Sequence, residues 1–283
     1  MSRVAYLGPE RTNTHAAAQA RFGRRSRYVH APTVEDVFHL VERRQVDFGV
    51  VPIENSLGGA VTHTLDRFVD FVDTPVRIHG EIEQPVRHCL ILQTGARPQA
   101  VSVVYSHPQA LAQCDRWLQR HVPTASRWET SSTAEAVEYV LGLRGRANSP
   151  PRRERAAIAV RELATRGLTA VPIPEDHENR TRFLILSLEE PPRGRRNKTA
   201  VLFALKDTPG ALHDALVPFK RQGINLTKIE SRPSRQRVWE YLFFIDFEGH
   251  ESESRVKRAL EQLRRSTSLL RVLGSYPLSA KQR

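Results

Sequence analysis

Three short polar turns carry the side chains whose types and spacing could do chemistry. Thr12 and Thr14 follow Gly8-Pro9, Glu54-Asn55-Ser56 stands ahead of Gly58-Gly59, and Ser106-His107-Pro108 opens the segment that contains Gln113. Hydroxyl and amide groups can each donate a hydrogen bond to an oxyanion, so sites of this kind suit small anionic ligands. The same hydroxyls have a structural reading: Thr12, Ser106 and Ser132 sit where helix N-caps belong, and on spacing alone capping is the better account of them. The eleven histidines show no His-Glu-x-x-His spacing, and His79 and His88 are too loosely placed to make a metal pair, so no metal is expected. Cys89 and Cys114 are too few and too far apart for a disulfide framework or a thiolate site, and both read as reduced core thiols.

The elements that must position these turns follow from the apolar pattern. From Val4 to about Leu188, short apolar runs alternate with amphipathic segments, the pattern of an α/β layer built from parallel crossovers. Val4–Leu7 reads as a first strand leading into a helix over His15–Phe22. Thr33 and Asp36 make a capping-box pair for a helix whose Val34, Val37, Phe38 and Val41 recur at helical spacing. A strand over Phe48–Ile53 ends in the Glu54-Asn55-Ser56 turn, before a helix carrying Val61, Leu65, Phe68 and Val72. Further strands are predicted near Val76–Ile82, Val86–Leu92, Val101–Tyr105 and Ala156–Val160, with helices over Pro108–His121 and Thr133–Leu143. In open α/β sheets ligands bind outside the carboxyl ends of strands, which is where the three polar turns lie.

Periodicity fails around Glu189–Lys198, where charge and proline dominate as in a linker. Beyond it the order is strand (Thr199–Leu205), helix (Leu212 to Phe219), strand (Ile224–Ser231), strand (Val238–Phe247), helix (Val256 to Leu263) and strand (Leu269–Gly274). This βαββαβ order is ferredoxin-like. A unit this small is short of core for independent stability and tends to pair its sheet with another copy.

Composition agrees with this organisation. At 40% hydrophobic and 26% charged, the 283 residues suit a folded protein, and at roughly 150 residues per domain they suit about two domains. No apolar run is long enough for a membrane span, and the N-terminus has neither the apolar segment nor the cleavage site of a signal peptide; a cytoplasmic protein without a membrane partner is expected. The formal charge of +12 raises the question of nucleic acid, but eight of those charges lie in two Gly/Pro/Asn-punctuated stretches, Arg144–Arg155 and Arg193–Lys198. Without interleaved aromatics or a recognition helix they read as solvated connectors, and no nucleic-acid partner is expected.

Six segments, in order, resemble the prephenate dehydratases that carry a C-terminal ACT regulatory domain. They are Val51-Pro52-Ile53-Glu54-Asn55-Ser56 with Gly59 and Val61; Tyr105-Ser106-His107-Pro108-Gln109-Ala110-Leu111-Ala112-Gln113-Cys114; Ser132-Thr133-Ala134-Glu135-Ala136; Asn179-Arg180-Thr181-Arg182-Phe183; Gly210-Ala211-Leu212; and Gly223-Ile224-Asn225-Leu226-Thr227-Lys228-Ile229-Glu230-Ser231-Arg232-Pro233. The resemblance implies a catalytic domain over residues 1–192 folded as two α/β lobes like a type 2 periplasmic binding protein. One lobe would comprise about 1–78 with 172–190 and the other 79–171, followed by a linker at 193–198 and the ACT domain at 199–283. It implies decarboxylating dehydration of prephenate to phenylpyruvate in phenylalanine biosynthesis, without cofactor or metal. Phenylalanine is the implied effector, acting through a homodimer or dimer of dimers joined by the ACT domain.

Residue by residue, the resemblance makes Thr181 the essential threonine, a hydrogen-bond donor to the departing oxygen, with Phe183 shaping an apolar wall. Thr12, Asn55, Ser56, Ser106 and Gln113 match the polar substrate-contacting set. Arg182 is either a substrate clamp or a structural ion-pair partner. Glu54 is either a protonated acid or a structural hydrogen-bonding group, because a carboxylate beside a dianion is repulsive. Gly210, Ala211, Leu212, Asn225, Leu226, Glu230, Ser231 and Arg232 match the effector site at an ACT dimer interface. One segment departs from the pattern: the family's Gly-Pro-x-Gly-Thr-Phe-Ser reads Gly8-Pro9-Glu10-Arg11-Thr12-Asn13-Thr14 here. The departure opens two alternatives, arogenate as the substrate, whose amino group Asn13 can bond, and a catalytically silent amino-acid sensor.

Overall fold

The computed structural model describes residues 1–70, 73–145, 147–174, 178–206, 208–234 and 241–278. In chain order the elements are β1 (Arg3–Leu7), α1 (Asn13–Phe22), β2 (Arg27–Ala31), α2 (Val34–Glu42), β3 (Phe48–Asn55), β4 (Gly59–Ala60), α3 (Thr62–Asp70), β5 (Arg77–Pro85), β6 (His88–Gln93), β7 (Val103–Ser106), α4 (Pro108–Gln113), α5 (Asp115–His121), β8 (Ser126–Glu129), α6 (Thr133–Leu141), β9 (Arg155–Val160), β10 (Leu168–Pro172) and β11 (Arg180–Ser187). The C-terminal unit follows as β12 (Asn197–Leu205), α7 (Ala211–Arg221), β13 (Leu226–Pro233), β14 (Tyr241–Glu248), α8 (Ser254–Ser266) and β15 (Thr267–Pro277).

The first lobe is a sheet in the order β2-β1-β3-β11-β5, with β4 hydrogen-bonded to β3. Its helices form where the pattern demands. In α2 the Thr33 hydroxyl accepts the Asp36 N–H and the Asp36 carboxylate accepts the Thr33 N–H, closing both halves of a capping box, while Val34, Val37, Phe38 and Val41 are buried on one stripe. Strands β1, β2 and β3 run parallel, but β11 returns antiparallel between β3 and β5, so the layer is mixed and not built from parallel crossovers throughout. The second lobe is the sheet β10-β6-β9-β7-β8, with α6 against one face and α4 and α5 against the other. The expected single helix over Pro108–His121 is two helices meeting at Cys114, which makes Gln113 the last residue of α4.

The chain crosses between lobes twice, at Val86-Arg87 and between the end of β10 at Pro172 and the start of β11 at Arg180. The crossings are tied together by the Val86 N–H on the Asn179 carbonyl and the Ile173 N–H on the His88 carbonyl. Because β5 continues to Pro85 in the first sheet, the first crossing comes there and not at residue 78. Val72, Arg146 and the start of the strand expected from Val238 lie outside the described residues.

The C-terminal unit has the βαββαβ order, with its sheet arranged β13-β14-β12-β15. Helices α7 and α8 cover one face through Phe203, Phe219, Ile245, Phe247 and Leu263. The other face, which a small domain must also cover, lies on the first lobe: Leu202, Phe244, Leu273 and Tyr276 share one core with Ile53, Phe68, Ile78 and Leu184. Every residue of β12 is consequently buried. At Gly274 the two backbones meet directly, since a Cβ there would stand 2.2 Å from the Ile78 carbonyl oxygen. Arg271 adds donation to the Thr74 and Val76 carbonyls, at 2.6 and 3.1 Å.

The described arginines of the basic stretches are mostly exposed, as solvated connectors should be, but the ends of the stretches are tied into the fold. Asn197 and Lys198 already belong to β12, and the Lys198 side chain, only 4% exposed, donates to Glu81 at 2.8 Å. Arg144 pairs with Glu135 and Glu138 of α6, and Arg155 donates to the Pro150 and Tyr139 carbonyls, so this loop braces the end of α6. No helix among the described residues is long and apolar enough to cross a membrane.

Candidate active site

Strands β3 and β11 place their side chains on alternate faces, and the functional residues sort accordingly. Asn55 pairs in register with Thr181, and Glu54 with Arg182, with a bulge immediately after, where Pro52 and not Ile53 stands opposite Phe183. Bulges of this kind re-aim side chains beside sites. One face of the strand pair looks into the cleft between the lobes; the other looks at the C-terminal domain.

On the cleft face a chain of neutral groups runs from one lobe to the other. The Leu57 and Gly58 N–H groups donate to Asn55 Oδ1 at 3.1 and 2.8 Å, which fixes the amide so that its Nδ2 faces the other way. Asn55 Nδ2 then donates to Thr181 Oγ1 at 2.9 Å and to Asn179 Oδ1 at 2.7 Å. Asn179 Nδ2 in turn donates to Gln113 Oε1 at 3.1 Å, across the cleft. Since Thr181 Oγ1 accepts from Asn55, its own proton is directed away from that amide. Thr181 is 9% exposed, and Phe183 beneath it is buried in the core with Tyr6, Val50 and Ile82.

Ser56 pins the loop to β11: its hydroxyl donates to the Glu178 carbonyl and accepts from the Arg180 N–H, at 3.0 and 2.9 Å. Thr12 caps α1, accepting from the His15 N–H and donating to the Pro9 carbonyl. Ser132 likewise caps α6. Ser106 is not the cap of α4, which is His107; fully buried, it donates to the Ile158 carbonyl at 2.7 Å.

Glu54 and Arg182 are the residues the structure moves out of the cleft. Arg182 Nη1 and Lys228 Nζ, the latter from β13 of the C-terminal domain, both donate to Glu54 Oε2 at 3.1 Å. Glu81, with Lys198 as its ion-pair partner, completes the group with Asp246 and Tyr276 nearby. Burial acts to lower the Arg182 pKa, but Glu81, Glu54 and Asp246 outweigh it and hold it above its ordinary value. Burial pushes the Asp246 carboxyl up to about 6 against the pull of Lys198, and it raises the Tyr276 phenol well above its usual range. Glu54 and Arg182 thus face each other and Lys228 on the side of the C-terminal domain, and not the neutral groups of the cleft face.

A cavity of about 1330 Å³ opens between the lobes, lined by Asn13 and Ala16 of α1, Gln84, Arg87, His88, Arg161, Glu162, Asn179 and Arg180. Gln84 pairs in register with Thr181, and its Oε1 is buried without a hydrogen-bond partner. Sequence reasoning missed Gln84, Arg87 and Arg161, because only the approach of the lobes brings them together. Asn179 was within reach, since it stands in the Asn-Arg-Thr-Arg-Phe segment itself. No group of three or more His, Cys, Asp or Glu among the described residues could hold a metal.

In the C-terminal domain Gly210 precedes α7 with φ +82°, a conformation that favours glycine, and nothing lies within 4 Å of a Cβ placed there; its need is conformational and not one of close approach. Ala211 and Leu212 form the first turn of α7, and Asn225, Leu226, Glu230, Ser231 and Arg232 lie at the start of or along β13, an edge strand. Arg232 is engaged elsewhere, donating twice to Asp66 of α3 at 3.1 and 3.0 Å.

Two α/β lobes around a cleft that joins neutral hydrogen-bonding groups to arginines, docked on a ferredoxin-like domain, define a periplasmic-binding-protein-like enzyme fold with an appended regulatory unit. Residues 4–191 match the family model of prephenate dehydratase and residues 199–265 that of the ACT domain. The chain belongs to the prephenate dehydratase family. It is 43% identical over 284 residues to the bifunctional chorismate mutase/prephenate dehydratase of Aquifex aeolicus, covering 99% of this chain and 75% of that protein. It is 35% identical over 290 residues to arogenate dehydratase/prephenate dehydratase 2 of Arabidopsis thaliana, covering 98% and 73%. Among solved structures, the prephenate dehydratase of Arthrobacter aurescens in complex with L-Phe superposes with a TM-score of 0.87 at 33% identity, over 99% of this chain and 91% of that one.

Proposed function

We propose that the chain takes prephenate into the interlobe cleft and converts it to phenylpyruvate, with Thr181 as the donor to the departing oxygen. The bond from the ring to its carboxylate breaks to release CO2, its electron pair completes the aromatic ring, and the C4–O bond breaks. The departing hydroxide takes up one proton and leaves as water. Aromatisation supplies the driving force, so the protein's task is to orient the dianion and to stabilise charge on the leaving oxygen.

The observation that carries this reading is the direction of the Thr181 hydroxyl. Backbone donors lock Asn55, Asn55 donates to Thr181, and the threonine proton is thereby left for the ligand. A threonine hydroxyl is far too weak an acid to surrender its proton outright, so its role is hydrogen-bond stabilisation. Gln113, whose Oε1 is occupied by Asn179, keeps its Nε2 donors for the substrate. Arg87 and Arg161 at the cavity wall supply positive charge for the dianion that the neutral cluster lacks. Asn13 lines the same cavity and favours arogenate as a second substrate, because its amide oxygen can accept from an ammonium group where a keto group offers nothing to donate.

Phenylalanine is the effector in this reading, held between the α7 N-terminus at Gly210–Leu212 and β13 at the contact of two copies. The position of β13 at the sheet edge among the described residues and the half-exposed Ile229 and Tyr241 support pairing with a second copy. Phenylpyruvate formation from prephenate and from arogenate, with and without phenylalanine, tests the assignment alongside Thr181→Ala. Prephenate turnover abolished in the variant and reduced by phenylalanine is the expected result. A folded protein that turns over neither substrate would return the reading to a silent sensor.

A further inference from the structure

We propose that Lys228 of the ACT domain is a positioning residue for the catalytic hydrogen-bond cluster, and the link through which that domain sets it. Glu54 immediately precedes Asn55, and Arg182 immediately follows Thr181. The ion-pair partners and the cleft residues are therefore two adjacent rungs of the β3–β11 ladder that face opposite ways. Glu54 Oε2 receives both Arg182 and Lys228 at 3.1 Å, so one oxygen ties β3 to β11 and both to β13.

The Lys228 side chain is 8% exposed. Withdrawing it would leave Glu54 with Arg182 alone and strand a buried ammonium, a change costly enough to make the contact a two-position element and not a loose tether. Ladder strands transmit such a change efficiently, because rotating the Glu54–Arg182 rung re-aims the neighbouring rung, and the bulge next to it supplies the slack. The bond at stake on the other face is the single 2.9 Å contact from Asn55 that orients the Thr181 proton. Strand β13 also carries Glu230 and Ser231, so a ligand that shifts this strand shifts Lys228 with it. The regulatory half of the proposal rests on the reading of this segment as the phenylalanine site; the positioning half does not.

The test compares Lys228→Gln and Lys228→Arg with Arg271→Gln, which removes an anchor between the same domains far from Glu54. Lys228→Gln is expected to lower kcat without effector by about tenfold while changing KM by less than about threefold. It should also cut the phenylalanine effect on kcat by about fivefold or more, with phenylalanine affinity by calorimetry unchanged. Lys228→Arg should restore kcat, and Arg271→Gln should keep wild-type kcat. Equal losses in Lys228→Gln and Arg271→Gln would reduce Lys228 to a docking contact and overturn the proposal, as would wild-type kcat in Lys228→Gln. Should Lys228→Gln fail to fold, the exchanged pair Glu54→Lys with Lys228→Glu decides: kcat recovered relative to Glu54→Lys alone supports the link, and no recovery overturns it. If phenylalanine affects no variant and not the wild type, the effector reading fails, while the basal kcat values still decide the positioning role.

Discussion

The two faces of the β3–β11 pair are built from neighbouring residues and opposite chemistry. Toward the cleft stand Asn55 and Thr181, neutral, with hydrogen bonds that run in one direction from backbone donors to a hydroxyl. Toward the ACT domain stand Glu54 and Arg182, charged and joined to Lys228, Glu81 and Lys198. Neutral groups suit the first face because a carboxylate there would repel a dianionic substrate, and because hydrogen-bond donors fixed in advance need no reorganisation as charge develops. Ion pairs suit the second because truncating one partner of a buried pair leaves the other uncompensated, which makes the interface intolerant of intermediate positions. One strand pair thus carries the proposed hydrogen-bond donor on one face and the interdomain ion pairs on the other.

The comparison breaks most readily at Asn55. Asn55→Ala removes the donor to Thr181 and leaves the Leu57 and Gly58 N–H groups without their acceptor. It should lower kcat for phenylpyruvate formation by about 100-fold with the circular dichroism spectrum intact. A kcat within threefold of wild type would mean that the cleft face does not orient the threonine. On the other face the sharpest probe is Gly274→Ala. Its new methyl would meet the Ile78 carbonyl and not a side chain able to turn away, so β15 must lift from β5, at a cost of about 2–3 kcal/mol. Urea unfolding should register that loss, and proteolysis should cut between the domains more readily; unchanged stability would show the docked face to be compliant.

Much of this was legible in the residues. The α2 stripe and its capping box, the polar turn after β3 and the βαββαβ order all follow from local spacing. Five strands were not: β2 (Arg-Tyr-Val-His-Ala) buries only Ala31, and β8 (Ser-Arg-Trp-Glu) and β10 (Leu-Thr-Ala-Val-Pro) bury no residue, all three being sheet edges, while β4 is two residues long and β11 follows a segment read only for its polar residues. The antiparallel return of β11 is a tertiary choice that periodicity does not encode. The faces of Glu54 and Asn55 could have been separated by the twofold alternation of a strand, had the strand been continued past Ile53 instead of ending in a turn. Lys198 shows the limit of charge patterning: a basic run reads as solvated until its acidic partner, 117 residues away, is known.

The charged face also has a titration signature. Asp246 titrates near 6 because burial outweighs its cationic neighbours, so between about pH 4 and pH 6 the folded protein holds a proton that the unfolded chain has released. Stability contributed at this residue is therefore present at low pH and lost as pH rises through that window, by an amount of about 3 kcal/mol. Asp246→Asn abolishes that loss. Unfolding free energies from pH 4 to 7 should show the variant gaining on the wild type until about pH 6 and then running parallel; profiles parallel throughout would remove Asp246 from the interdomain balance.

The smallest effect belongs to the cleft side, at the turn where this chain departs from its family. Arg11 stands where the family pattern has glycine and takes φ +65°, the left-handed conformation that glycine adopts without penalty. The turn thus carries the strain of a side chain, and the Arg11 N–H donates to His15 Nδ1 at 2.9 Å. Burial lowers the His15 pKa against the opposing effect of Glu10, which favours the imidazole form whose Nδ1 accepts this bond. Relief of about 1–2 kcal/mol of left-handed strain, set against about 0.4–1 kcal/mol of added chain entropy on unfolding, leaves Arg11→Gly more stable by about 0.5–1 kcal/mol. Thermal unfolding measures that gain, and kcat/KM for prephenate should stay within about twofold because the Thr12 cap is unmoved. A variant that is less stable would assign Arg11 a favourable contact that outweighs its backbone, and one that changes substrate preference would place the turn, and not only Asn13, in the recognition of the ligand.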